Sequence, residues 1–216
     1  MMSDQQLPQV LQRLILDQAI ATIGYTEEER EQFCQQFRHD KTYQTWLQQQ
    51  GVTAEQFEAW MSRELTIRKF QHVQWGRKLT SYFLQRKHQL DRVVCSLIYL
   101  KDKNIAQELY FRIAEGEAPF AEVARVYSQG AEAQMGGRVG PVELGKLHPD
   151  LARLFYGGRP GQLWTPIMIG EWVVIARLEE SLPVRLDESM RQSLLNELLE
   201  AWLQDQLKQR FPFPLK

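Results

Sequence analysis

The segment from Pro119 to Glu179 limits most tightly how this chain can fold. An amphipathic stretch ends at Tyr127-Ser128, and a loop closes on Gly136-Gly137-Arg138-Val139-Gly140. A helix start stands at His148-Pro149-Asp150. Arg159-Pro160-Gly161-Gln162 then turns the chain into two apolar strands parted by Gly170-Glu171. Helix and strand signals that alternate at such short intervals describe one small α/β unit. Upstream, Arg92 to Leu100 reads RVVCSLIYL, a β-branched and apolar run expected of a central strand. Asn104 to Glu115 reads as a helix ending at Gly116.

The flanks are helical in pattern. Leu7 to Gly24 carries Leu11, Leu14, Ile15, Gln18, Ala19 and Ile23 on one side. Thr26-Glu27-Glu28-Glu29 offers a hydroxyl and carboxylates to the start of a second helix running to about Arg38. A third is expected over Lys41 to Gln50. Thr53-Ala54-Glu55-Gln56 caps a fourth, which carries Phe57, Trp60, Met61, Leu65 and Phe70 and is interrupted at Gly76; a fifth runs from Leu79 to about His88. After Pro183, Asp187 to Arg210 forms a long helix with a stripe of Leu194, Leu195, Leu198, Leu199, Trp202, Leu203 and Leu207. A lone helix cannot keep such a stripe in water.

A chain of 216 residues forms one to two domains. A net charge of −1 gives no reason to expect a nucleic-acid partner. The N-terminus lacks a basic stretch followed by an apolar run, so neither a signal peptide nor membrane insertion is expected. With the opening Met read as a native start, the expected location is cytoplasmic. Cys34 and Cys95 lack metal-ligand spacing and are expected to be reduced and buried. No phosphate loop, nucleophile elbow, zinc spacing or dinucleotide fingerprint is present, so no cofactor or metal is expected.

Phe120 to Ser128, the glycines Gly136-Gly137 and Gly140, the helix ending in Phe155, Pro160-Gly161-Gln162, Thr165-Pro166-Ile167 and the closing Arg177-Leu178-Glu179 together resemble the parvulin family of peptidyl-prolyl cis-trans isomerases. The family pattern overlays Gly136 to Leu178 without a gap. QGVTAEQFEAWMSRELTIRKF resembles the N-terminal segment of SurA-like foldase chaperones. Together the resemblances imply an α+β protein. Residues 91–181 would form a parvulin-like βα3βαβ2 domain with a four-stranded antiparallel sheet. It would be inserted in a helical lobe made of residues 1–90 and a C-terminal segment, 182–216, that packs back on them.

Prolyl isomerisation breaks no bond; its barrier of about 18–20 kcal/mol reflects lost amide resonance. A catalyst grips the proline in an apolar slot and stabilises the twisted amide. On the overlay, Leu147, Leu151 and Phe155 take the positions of that slot, or serve only as the core face of a helix. Trp172 and Trp164 flank the site or are buried against helices. His148 stands at the helix start, and Glu171 is the acidic residue nearest the slot. Arg138 could meet an acidic peptide but reads more simply as a solvated charge. His39, His72 and His88 are assigned to the surface of the helical lobe.

The family's polar positions fall at Ser96 (first His), Gly130 (Cys or Asp), Glu171 (hydroxyl) and Val174 (second His), and all four depart from the pattern. The resemblance therefore implies an isomerase of Xaa-Pro bonds in peptides or unfolded polypeptides, slow because this network is replaced. The alternative is a peptide-binding chaperone or adaptor for maturation or export that has lost most catalysis. The leucine stripe could also serve a homodimer through the helical lobe.

Overall fold

A computed structural model describes residues 7–38 and 51–211, without the side chains of Phe37, Arg38 and Ala54. The helix expected over Lys41–Gln50, Trp46 and His39 lie outside the described residues. The helices are α1 (Leu7–Ile20), α2 (Glu27–Arg38), α3 (Ala54–Trp75), α4 (Leu79–Leu90), α5 (Lys103–Ala114), α6 (Phe120–Tyr127), α7 (Pro149–Tyr156) and α8 (Glu188–Arg210). The strands are β1 (Arg92–Leu100), β2 (Arg138–Glu143), β3 (Leu163–Ile169) and β4 (Trp172–Leu182). The chain divides into two compact units, Met1–Ser81 with Leu186–Lys216, and Tyr82–Arg185. Among the described residues, no helix is long and apolar enough to cross a membrane.

In the helical unit, capping boxes start two helices. Thr26 and Glu29 satisfy each other's backbone N–H at 2.7 and 3.2 Å, as do Thr53 and Gln56 at 3.0 and 3.2 Å. Ile15, Leu16 and Ile20 of α1 share a core with Ile67 and Phe70 of α3 and Leu203 and Leu207 of α8. Phe33 and Cys34 of α2 pack with Phe57 and Met61 of α3. Gln71, fully buried, is satisfied by Asn196 at 2.9 Å and Gln192 at 3.0 Å, as a buried amide must be. Leu14, expected on the packed side of α1, is instead 54% exposed.

The second unit is a four-stranded antiparallel sheet of order β2-β1-β4-β3. β1 is central, as its continuous apolar run requires, with every residue after Arg92 buried or half-buried. β2 is the second strand that the resemblance implied, although the residues up to Gly140 read as the close of a loop, because Gly140 and Pro141 mask its period. One face of the sheet presents Ile98, Leu100, Val173 and Ile175 to Ala106 and Leu109 of α5 and to Phe120, Val123 and Ala124 of α6. The other presents Cys95, Leu97, Val174, Ala176 and Leu178 to Leu151 and Phe155 of α7. Gly137 is required: its φ is +82°, and a Cβ there would lie 2.6 Å from the Leu97 carbonyl oxygen. The chain enters and leaves this unit side by side. The Asp91 carboxylate accepts from the Val184 N–H at 2.8 Å and pairs with Lys87 at 2.8 Å.

Candidate functional site

Helix α7 is built for one apolar face. Pro149 occupies its first turn, and the His148 imidazole caps it, with Nδ1 accepting from the Asp150 N–H at 3.4 Å. Leu151 and Phe155, one turn apart, point into the sheet and are each 2% exposed. Phe155 meets Trp164 edge to face at 5.4 Å. Such burial places Leu151 and Phe155 in the core of the sheet unit. Leu147 is half-buried at the edge of the same cluster, with Tyr99, Ile167 and Trp172.

Trp172 packs edge to face with Tyr99 at 6.3 Å, and the Lys101 ammonium lies 3.7 Å from its ring centroid. Lys101 also pairs with Glu171, whose side chain is 77% exposed. Arg138, on β2, pairs with Glu180 at 2.8 Å rather than standing as a free loop charge.

The two strand positions of the overlay, Ser96 and Val174, do not converge. Ser96 pairs opposite Arg177, and Val174 opposite Tyr99, an odd offset along uninterrupted pairing. Their side chains therefore lie on opposite faces of the sheet and cannot share one network, whatever residues stand there. Val174 is core. Ser96 donates to the Glu179 carboxylate at 2.6 Å, and Arg177 donates to the same oxygen at 2.8 Å while lying 4.8 Å over the Phe120 ring. Burial pushes the Glu179 pKa up, but the hydrogen bonds from Ser96 and Arg177 and the charges of Arg177 and Arg138 outweigh it and hold the carboxyl low. The Cys95 thiol, raised to about 12 by burial and by Glu179, is inert.

Sequence reading missed a polar group held against the Tyr99 backbone. The Ser128 hydroxyl accepts from the Tyr99 N–H at 3.0 Å and donates to Glu132 at 2.8 Å, and the Gln129 N–H donates to the Tyr99 carbonyl at 2.9 Å. The loop after α6 is thus stapled to β1. Burial, then the nearby charges of Glu132 and Cys95, raise the Tyr99 hydroxyl pKa. The only signal in the sequence was a Ser closing a helix with a Glu four residues on.

Leu144, Leu147, Pro149, Ala152, Tyr156 and His88 line a cleft of about 450 Å³ beside α7. His88, which the sequence assigned to the helical lobe, belongs to the sheet unit and stacks edge to face on Tyr156 at 6.3 Å. His72 is exposed on α3. Among the described residues, no cluster of His, Cys, Asp and Glu could hold a metal ion.

This antiparallel sheet, with two helices on one face and a short helix on the other, is the architecture of a parvulin-like domain set in a helical lobe. Residues 100–180 match the Rotamase family, described as a PPIC-type PPIASE domain, so the chain carries a parvulin-type domain. It is similar to Chaperone SurA of Albidiferax ferrireducens, 30% identical over 128 residues that make up 55% of this chain and 28% of that one. The chain thus spans under a third of the length of that curated relative. Among solved structures, the peptidylprolyl isomerase PrsA from Bacillus anthracis aligns over 94% of this chain and 97% of that one, at 18% identity and a TM-score of 0.47. The parvulin domain of PpiD from E. coli aligns over 46% of this chain and 97% of that one, at 24% identity and a TM-score of 0.40.

Proposed function

We propose that this chain is a parvulin-type foldase that binds proline-containing or unfolded polypeptide and isomerises its Xaa-Pro bonds slowly. The match of residues 100–180 to the PPIC-type domain carries this reading. Leu147 and Trp172, both half-buried, are proposed to contact the peptide, with Tyr99 beside them and His148 at the rim. Leu151 and Phe155 support that surface from beneath. Rate enhancement would come from apolar desolvation of the amide rather than from a histidine network, consistent with Ser96 and Val174 lying on opposite faces.

That separation also favours a second reading, a peptide-binding chaperone or adaptor with little turnover. NMR exchange spectroscopy on Xaa-Pro peptides, with chemical-shift mapping in the same samples, separates the two. Exchange above the uncatalysed rate, which runs to tens of seconds or more, supports isomerisation. Shifts around Leu147 and Trp172 without faster exchange support the binder. No shift near those residues overturns both.

Residence in the cytoplasm belongs to the same proposal. It is supported by Cys34 and Cys95 being buried and in no disulfide, and recovery of the native protein in an extracytoplasmic fraction would overturn it. A homodimer through the helical lobe is tested by sedimentation.

A further inference from the structure

Resting on the peptide-binding reading, we propose that Glu132 is a specificity residue of this site, recognising a Lys or Arg that flanks the Xaa-Pro bond. Glu132 sits in the short 3-10 turn Ala131–Met135, two residues after Gly130. A Cβ built on Gly130 would fall inside the Glu132 carboxylate. The glycine leaves a side-chain volume empty, and the carboxylate folds back to fill it. A position that reads as featureless in sequence therefore carries an anion in space.

The anion is held. Ser128 donates to Oε1 at 2.8 Å, and that hydroxyl is itself fixed by the Tyr99 N–H at 3.0 Å. The carboxylate is thus tied to the strand that carries Tyr99, the aromatic partner of Trp172. The anion is also uncompensated. Among the described residues no Lys, Arg or His lies within ion-pair distance of it, whereas Glu171 is paired with Lys101. A half-buried carboxylate with a hydroxyl donor and no cation gains most from a ligand that brings one, through a charge-assisted hydrogen bond in a partly desolvated place. The Tyr99 ring beside it suits the alkyl stem or guanidinium plane of such a side chain.

The test uses the full chain and three peptide series that differ only in the residues flanking proline, which are Lys, Ala or Glu. Binding is read by chemical-shift titration and turnover by NMR exchange. Wild type is expected to favour the Lys series over the Glu series by about tenfold in affinity. E132Q keeps the shape and the Ser128 contact, and should bring that ratio to near one. E132D keeps the charge but shortens the reach, and should give an intermediate ratio. Wild type that binds the Ala series without preferring Lys over Glu overturns the proposal and leaves the peptide-binding reading standing. A preference that survives E132Q, in a protein whose amide spectrum is otherwise unchanged, overturns it too. If wild type binds none of the three series, the peptide-binding reading fails and takes this one with it.

Discussion

The two faces of the sheet are finished differently. On one, α5 and α6 lie over Ile98, Leu100, Val173 and Ile175, and these strand residues are buried outright. On the other, the eight-residue α7 seals Leu97, Val174 and Ala176 but leaves Tyr99, Ile167 and Trp172 half-buried. Both faces bury aliphatic residues at their centre; only the α7 face ends in a strand-borne aromatic pair with polar neighbours. The central strands β1 and β4 are apolar on both faces and need cover on each, yet a binding surface needs part of one face to stay wet. A helix of two turns meets both demands.

Substitutions at graded depths can break or sharpen this contrast. Phe155→Ala removes a ring from the sealed part of the α7 face and should cost about 3–5 kcal/mol in urea unfolding. A loss below about 1 kcal/mol with peptide binding abolished would return Phe155 to the ligand slot and erase the division between sealed and open parts. Gly137→Ala forces a side chain into a positive φ beside the Leu97 carbonyl and should cost roughly 1–3 kcal/mol. A neutral result would mean that β1 and the loop can move apart.

Ser96→Ala leaves Glu179, whose side chain is 17% exposed, without one of its donors; the expected loss is about 1–3 kcal/mol at neutral pH. Because the folded state lowers the Glu179 pKa, its stabilisation is complete above the unfolded carboxyl pKa of about 4.3 and is lost as pH falls through the folded value. The gap between wild type and Ser96→Ala should therefore close on acidification. A gap that widens would show that Ser96 acts through packing. The smallest effect is expected from Lys101→Ala. It removes an exposed cation from the Trp172 ring and should change stability by less than about 1 kcal/mol, while altering Trp172 fluorescence. Unchanged fluorescence would mean that the cation does not sit on the ring in solution.

Much of the fold was legible because local chemistry fixed it. The Thr53–Gln56 and Thr26–Glu29 capping boxes, the apolar run of β1 and the glycine pair before β2 each act within a few residues of themselves. The candidate site was less legible. The overlay put Ser96 and Val174 at the family's paired histidine positions, but a single residue of phase decides which face a strand residue takes, and these two lie on opposite faces.

The sequence by itself determined the order of elements, the places where helices begin and the strand at the centre of the sheet, since periodicity, caps and turns are short-range. Only the tertiary structure decided that Leu151 and Phe155 are core, and that Glu132 fills the space above Gly130 under the hold of Ser128. The reason is physical: burial and electrostatic neighbourhood belong to the surfaces that packing brings together, and residues distant along the chain supply them.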